Sequence, residues 1–280
     1  MWAPRRKKLP RLIRLALQKA KVNCPTSGVD VIGDIAIVRL PELTIVEKRR
    51  VARSLLEEMK NLGTVVEQRG GIEGEYRLRK LRHLAGEIRT TTLHRENGCA
   101  FRVDVAKCYF SPRLSTERLR VARSAKRGER VLNMFAGVGP FSILIAKLSG
   151  ARVVSCELNR TAAKLHIENS ALNDVEELVT VVRGDAMNLP SRLAGKFDRI
   201  VMPLPEKADR FLPVALRMAE RGGTIHYYRH LLGENELEAT EALHKELSDS
   251  LPVGFEYDSR RVREVGPRWI EVAAEIRVPS

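Results

Sequence analysis

Two glycines, Gly137 and Gly139, sit in the stretch NMFAGVGPFS, between a run that reads as a β-strand (RVLNMF) and one that reads as a helix (GPFSILIAKLSG). Glycines at such a junction let the backbone turn tightly and approach a ligand closely. About twenty residues further on, Glu157 ends the strand-like run ARVVSCE, where a carboxylate can accept hydrogen bonds from ribose hydroxyls. Asp185 ends the following run, LVTVVRGD, and is placed to take an adenine amino group. A lone G-x-G is common in core loops. A G-x-G followed by acids ending the next two strands points to a nucleoside-bearing cofactor. The third glycine of the dinucleotide fingerprint is absent, Ser142 standing in its place, which disfavours a phosphate cradle. S-adenosylmethionine carries no phosphate and fits better than NAD.

The elements that must position these residues alternate. From about residue 114 the order is strand, helix, strand, helix, up to the helix KADRFLPVALRMAERGG, the strand TIHYYRH and the helix ENELEATEALHKELSD. This predicts a parallel sheet with helices on both faces. The last two strands, VGFEYDSRRVREV and WIEVAAEIRV, are joined by a short turn and must pair antiparallel. A parallel sheet with an antiparallel final strand is the Rossmann-like arrangement of class I methyltransferases, whereas dinucleotide dehydrogenases run parallel throughout. Residues 28–112 read as a smaller, arginine-rich α+β module, and residues 1–27 as a basic segment with a short amphipathic helix. The methyltransferase-like domain is expected over 113–280.

The 280 residues carry a net charge of +14, which points to an anionic partner, with nucleic acid ahead of a membrane surface. Cys24, Cys99, Cys108 and Cys156 are scattered and have no C-x-x-C or histidine-pair spacing, so they read as reduced thiols of a cytoplasmic protein, with no metal site. No apolar run approaches the length of a membrane span, and no secretory signal is evident.

Three stretches line up with a known pattern: GEYRLRKLRHLAG, then HRENGCAFRVDVAKCYFSPRLSTERLRVA, then NMFAGVGPFSILIA followed by CELN, GDA, MPLP and HYY. Over roughly residues 28–280 they resemble the archaeal and eukaryotic type of tRNA guanosine-37 N1-methyltransferase. YFSPRLSTER and FAGVGPFS are the most specific blocks. Carried over residue by residue, the resemblance implies a catalytic arginine at Arg77, with Arg79 as the alternative, and a catalytic glutamate at Glu117. An Asn-Leu-Pro corner of the target pocket falls on Pro203-Leu204-Pro205. Cofactor contacts fall on Tyr109, Arg118, Phe135, Gly137, Gly139, Pro140, Glu157, Leu158, Asp185, Ala186 and Pro203, with Arg113 shaping the methionine end or the base pocket. The implied partners are S-adenosylmethionine and a tRNA anticodon loop, met by a monomer. The chemistry asks for these residue types. Guanine N1 becomes nucleophilic only as its proton leaves, which suits a carboxylate, and charge then builds on O6, which suits a guanidinium. Taken singly, Glu117 reads as one end of an Arg–Glu pair on a helix near Thr116, and Arg77 as a solvated arginine. His226 and Tyr227 read as core or wall residues, and His94 as structural.

The chain departs from the family pattern at Pro203, which replaces an amide that could donate to and accept from a guanine edge, and at Asn133, where an aspartate is usual. Pro203 and Pro205 therefore read as a stiff, donor-poor wall of a flipped-base pocket, with base selection left to backbone groups, Arg77 and Glu117. Such a wall also suits a tricyclic wyosine precursor. Two alternatives stay open: aminocarboxypropyl transfer from the same cofactor, and an inactive RNA-binding relative.

Overall fold

Ser115 and Thr116 mark the division between two compact units of the protein, seen in a computed structural model that describes residues 11–22, 24, 28–41 and 43–280. The break lies three residues beyond the one read from the sequence. The first ten residues of the basic segment lie outside the described residues.

In the first unit, helix α1 (Arg11–Lys19) presents Ile13, Ala16 and Leu17 at helical spacing. These residues are buried with Val51, Ala52 and Leu55 of α2 (Ile45–Glu58), so α1 belongs to the module's core and is not a separate segment. Thr44 and Glu47 start α2 with a reciprocal capping box, Glu47 accepting from the Thr44 backbone N–H at 2.8 Å. The strands β1 (Gly28–Ile32), β2 (Ile35–Arg39), β3 (Thr64–Glu73) and β4 (Leu78–Gly86) form a sheet in sequence order. Only β2 and β3, which α2 connects, are parallel. A hairpin of β5 (Thr91–Glu96) and β6 (Cys99–Asp104) turns at Asn97-Gly98, both at positive φ, as a tight two-residue hairpin turn demands. His94 of this hairpin accepts from the Gly33 N–H at 3.0 Å and packs edge-on against Phe110, a structural role.

The second unit opens with α3 (Ser115–Ser124) and continues through β7 (Arg130–Asn133), α4 (Pro140–Ser149), β8 (Arg152–Glu157), α5 (Arg160–Leu172) and β9 (Val179–Arg183). A short α6 (Leu189–Arg192) precedes β10 (Phe197–Met202), α7 (Ala208–Met218), β11 (Ala219–Leu232), α8 (Glu236–Ser250), β12 (Glu256–Gly266) and β13 (Trp269–Arg277). The seven strands lie in the order β12-β13-β11-β10-β7-β8-β9. All neighbours are parallel except β13, which is antiparallel to both β11 and β12. The final strand is thus the antiparallel one, as the sequence predicts, and it lies one place in from the edge, between β11 and β12. The helix read as running to Gly223 stops at Met218, because Ala219 already pairs with Phe197 and the chain bends through Gly222 at positive φ. Strand order reverses between β7 and β10, and ligands of open α/β sheets bind beyond the carboxyl ends of strands at such a point.

Candidate active site

Both segments leaving that switch point are stiffened. After β7, the loop Met134–Gly139 is anchored by the Met134 N–H on the Val201 carbonyl at 3.0 Å and by the Ala136 N–H on the Cys156 carbonyl at 2.9 Å. Asn133 is fully buried; its amide donates to Ser142 Oγ at 2.9 Å, and its oxygen accepts from the Phe135 N–H at 3.3 Å. Asn133 thus ties β7 to α4 and to the loop through neutral hydrogen bonds, with no charge. Gly139 has φ +94°, and the buried ring of His166 from α5 lies against the space a side chain would need. Burial alone pushes the His166 pKa down to about 3, so the ring is neutral. Phe135 packs edge-on against Phe211 with centroids 4.8 Å apart. Pro140 opens α4, where its missing N–H costs nothing.

Glu157 spans the loop and the start of α5. One of its oxygens accepts from the Gly137 N–H at 2.6 Å and the other from the Asn159 N–H at 2.7 Å. Burial raises its pKa, opposed by the hydrogen bonds from the Asn159, Gly137 and Leu158 backbone. Three of about four carboxylate lone-pair sites are used, which leaves capacity for one further donor such as a ribose hydroxyl. Asp185 accepts from the Met187 N–H at 2.9 Å and closes the short turn containing buried Ala186.

At the carboxyl end of β10, Pro203 and Pro205 have no N–H, and the Leu204 N–H is used on the Met202 carbonyl at 2.8 Å. The Pro205 carbonyl accepts from Arg229 at 3.3 Å and from the His230 N–H at 3.4 Å, and Arg229 is itself held by Asp209 and Glu246. The corner offers carbonyls but no backbone donor. Of the backbone groups that the sequence left for base selection, this corner has acceptors only.

Glu117 lies in the first turn of α3 and is 5% exposed. The Tyr228 hydroxyl donates to its Oε1 at 2.6 Å, Arg120 donates to Oε1 at 3.1 Å, and Arg260 donates to Oε2. Tyr228 follows the residue that pairs with Met202, so it stands level with Pro203, and its ring lies 6.3 Å from that of Phe141 in the first turn of α4. Glu117 is thereby held at the carboxyl end of the sheet, beside the glycine loop. It does pair with an arginine of its own helix, as the plainer reading of the sequence has it, but that is one of three partners. Arg118 is buried next to it. His226 and Tyr227 are buried wall residues on opposite faces of β11; His226 faces Arg120 and Arg199, and Tyr227 donates to Glu246 at 2.6 Å. Sequence reasoning passed over Tyr228, Arg260 and His166. Only the alternation of TIHYYRH, which sets Tyr228 on the face opposite Tyr227, carries a hint of them.

The first unit has a cluster of its own. The Arg77 guanidinium stacks over the Tyr109 ring, 4.0 Å from its centroid, from a turn position at φ +54°. Arg113 donates to Asp30 at 2.7 Å, and Arg79 lies 3.5 Å from the same carboxylate. Burial lowers the Arg79 pKa, with Asp30 opposing. Arg79 is thus a buried partner of Asp30, whereas Arg77 joins the YFSPR block through Tyr109. All four cysteines are buried, and among the described residues no histidine, cysteine and carboxylate cluster has the makings of a metal site. No described helix is long and apolar enough to cross a membrane.

The family described as the TRM5/TYW2 methyltransferase domain matches residues 92–249, and the TYW2 N-terminal domain matches residues 12–90. The chain belongs to the TRM5/TYW2 methyltransferase family. It is 42% identical over 262 residues to tRNA (guanine(37)-N(1))-methyltransferase Trm5b of Pyrococcus abyssi, covering 93% of this chain and 77% of that protein. It is 35% identical over 252 residues to tRNA 4-demethylwyosine(37)-methyltransferase Taw21 of Saccharolobus solfataricus, covering 89% and 93%. Trm5 of Methanocaldococcus jannaschii, solved in complex with adenosine, superposes with a TM-score of 0.78 at 30% identity, covering 90% of this chain and 72% of that one. Membership makes the protein a methyltransferase that uses S-adenosylmethionine. The residues fit that group: a left-handed glycine beside the loop, a buried carboxylate with a spare lone-pair site, and no set of phosphate-binding glycines.

Proposed function

We propose that the protein methylates N1 of guanosine 37 in the anticodon loop of tRNA, the activity named for its P. abyssi relative. The observation that supports it most is the buried Glu117 carboxylate, fixed through Tyr228 and Phe141 beside the loop that would hold the cofactor. The Gly137–Pro140 loop, Glu157, Leu158, Asp185 and Ala186 hold the adenosyl part, with Arg118 buried in the first turn of α3. When bound, S-adenosylmethionine supplies an electrophilic methyl group on a sulfonium. Glu117 would take the N1 proton, and Arg77 would stabilise the charge that builds on O6. The freed electron pair on N1 would form the new N–C bond as the methyl carbon–sulfur bond breaks and its pair returns to sulfur to leave a neutral thioether. Position 37 lies in a loop, so its base leaves the stack at little cost. The net charge of +14 suits RNA phosphates and makes binding weaken as salt rises. The test is transfer of label from S-adenosylmethionine to unmodified tRNA bearing guanosine 37, with the product read by mass spectrometry. 1-Methylguanosine supports the reading. An aminocarboxypropyl adduct, or no label on any tRNA, overturns it.

A second substrate has its own support. The Pro203-Leu204-Pro205 corner lacks donors, and the chain spans nearly all of a relative named for methylating 4-demethylwyosine. A wall without donors imposes little on the purine edge and accepts a tricyclic base. tRNA carrying the tricycle should therefore be methylated too. Substituting Asn at Pro203 should raise discrimination in favour of guanosine by about tenfold, the worth of one hydrogen bond to a base edge.

The Glu157 shift gives a pH dependence with a definite sign. Cofactor binding needs the carboxylate as an acceptor, and its pKa is raised, so affinity falls on acidification from a higher pH than an ordinary glutamate allows. The raised pKa also means that this group's contribution to folding stability is largest at low pH and is lost as pH rises through the folded pKa. At this residue, binding and stability move in opposite directions. Calorimetric titration of S-adenosylmethionine at a series of pH values from neutral downward should show the acid limb, and Glu157→Gln should flatten it while weakening binding throughout. An acid limb unchanged in Glu157→Gln assigns the dependence to another group.

A further inference from the structure

Three donors reach Glu117, and their mounting differs. Tyr228 is 1% exposed, its ring set against Phe141, and its hydroxyl lies 2.6 Å from Oε1. Burial, and then the charge of Glu117, hold its pKa well above the ordinary tyrosine range, so it stays a protonated donor. Arg120 comes from one turn along the same helix and is tied at its far end to Glu275 at 2.9 Å. Arg260 stands on β12, the outer strand of the sheet, with its side chain 36% exposed, and it reaches Oε2. The network continues inward. Arg199 donates to His226 Nε2 at 2.7 Å, and the other ring nitrogen, Nδ1, lies 3.4 Å from Arg120 and 3.5 Å from Glu275. The side of Glu117 that faces this network is closed by groups anchored at both ends.

Each carboxylate oxygen offers about two lone-pair sites. On Oε1 both are taken by Tyr228 and Arg120. On Oε2 they are taken by Arg260 and, in a longer bond at 3.3 Å, by Arg120 Nε. A carboxylate enclosed this way cannot accept a ring N–H until one donor leaves. The donor with the least to hold it is Arg260.

We propose that Tyr228 and Arg260 are positioning residues of opposite effect: Tyr228 is the fixed support of Glu117 Oε1, and Arg260 is an exchangeable cap on Oε2 that the target base displaces. Oε2 is then the atom that takes the N1 proton. The N1–H bond breaks toward Oε2 and its electron pair stays on N1. The neutral acid no longer attracts the guanidinium, so the cap stays off until the proton passes to water. The proposal rests on the reading of Glu117 as the base.

The test uses the full chain, S-adenosylmethionine and tRNA bearing guanosine 37, with single-turnover rates at saturating tRNA, so that lost phosphate contacts do not enter. Tyr228→Phe should slow the step about tenfold or more, the worth of a hydrogen bond to a charged group, with KM for tRNA little changed. Arg260→Met should speed it two- to fivefold, roughly the release of one part-exposed ion pair. The Tyr228→Phe and Glu117→Gln double variant should be no slower than Glu117→Gln alone. A wild-type rate in Tyr228→Phe, or slowing in Arg260→Met as large as in Tyr228→Phe, overturns the proposal while leaving Glu117 as base. A wild-type rate in Glu117→Gln instead removes the base assignment on which both depend. Thermal melting and cofactor calorimetry identify a variant that has not folded. If Tyr228→Phe is lost in this way, the sign of the Arg260→Met change decides.

Discussion

Glu117→Gln should lower methyl transfer to guanosine 37 by about 10²- to 10⁴-fold, the usual range for removing a positioned general base. S-adenosylmethionine binding should stay close to wild type. The substitution keeps the volume of the side chain but leaves an amide with no useful basicity at the place where the N1 proton must go. Tyr228 can turn its hydroxyl to accept from the amide, while Arg120 keeps Glu275 and Arg260 faces solvent on its open side. Neither cation is left fully buried and unpaired, so the loss of stability should be modest compared with breaking a wholly buried pair. Labelled cofactor with unmodified tRNA measures the rate, and calorimetry measures cofactor affinity. Transfer within tenfold of wild type would mean that another group or solvent takes the proton. Weakened cofactor binding in step with the rate would mean that Glu117 supports the cleft and does no chemistry.

The cofactor end of this protein is legible in its sequence because the residues that form it are local. Gly137 and Gly139 lie between a strand and a helix that can be read directly, and Glu157 follows at the end of the next strand. The alternation that places them also yields the parallel sheet. What the pattern does not carry is the support of Glu117. Tyr228 is 111 residues away in sequence and Arg260 is 143, and neither stands in a motif. They meet Glu117 only because β11 and β12 lie two places apart across the inserted strand β13. The place of β13 depends on pairing with both neighbours, which two consecutive strand-like runs leave open. The extent of α7 was misread for a related reason. AERGG has tolerable helix propensity over its first residues, but pairing of Ala219 with Phe197 overrides a local preference worth only tenths of a kcal/mol per residue. His94 was read correctly as structural, since a polar group largely shielded from water must find a partner where the chain turns.

Gly139→Ala should destabilise the second unit and remove S-adenosylmethionine binding together. Two separable effects add at this position. The backbone there has φ +94°, a conformation that a Cβ disfavours by about 1–2 kcal/mol. The new methyl would stand 2.5 Å from Nε2 of His166 and 2.9 Å from its Cγ. The ring is fully buried on α5, and the same helix ties the loop through Asn169, whose amide donates to the Val138 carbonyl at 3.0 Å. Neither loop nor ring can yield cheaply, and overpacking of this kind costs about 1–3 kcal/mol. Against a total stability on the order of 5–15 kcal/mol, the sum is a large fall in melting temperature. If the loop relieves the clash by shifting, the Gly137 N–H leaves Glu157 and the cofactor site opens, so affinity falls even in the fraction that stays folded. Adding His166→Ala separates the two effects. Removing the ring relieves the overlap but leaves the backbone strained, so the double variant should regain part of the melting temperature and not all of it. Full recovery would mean that φ at Gly139 contributes nothing, and no recovery would mean that the ring is not what Gly139 makes room for.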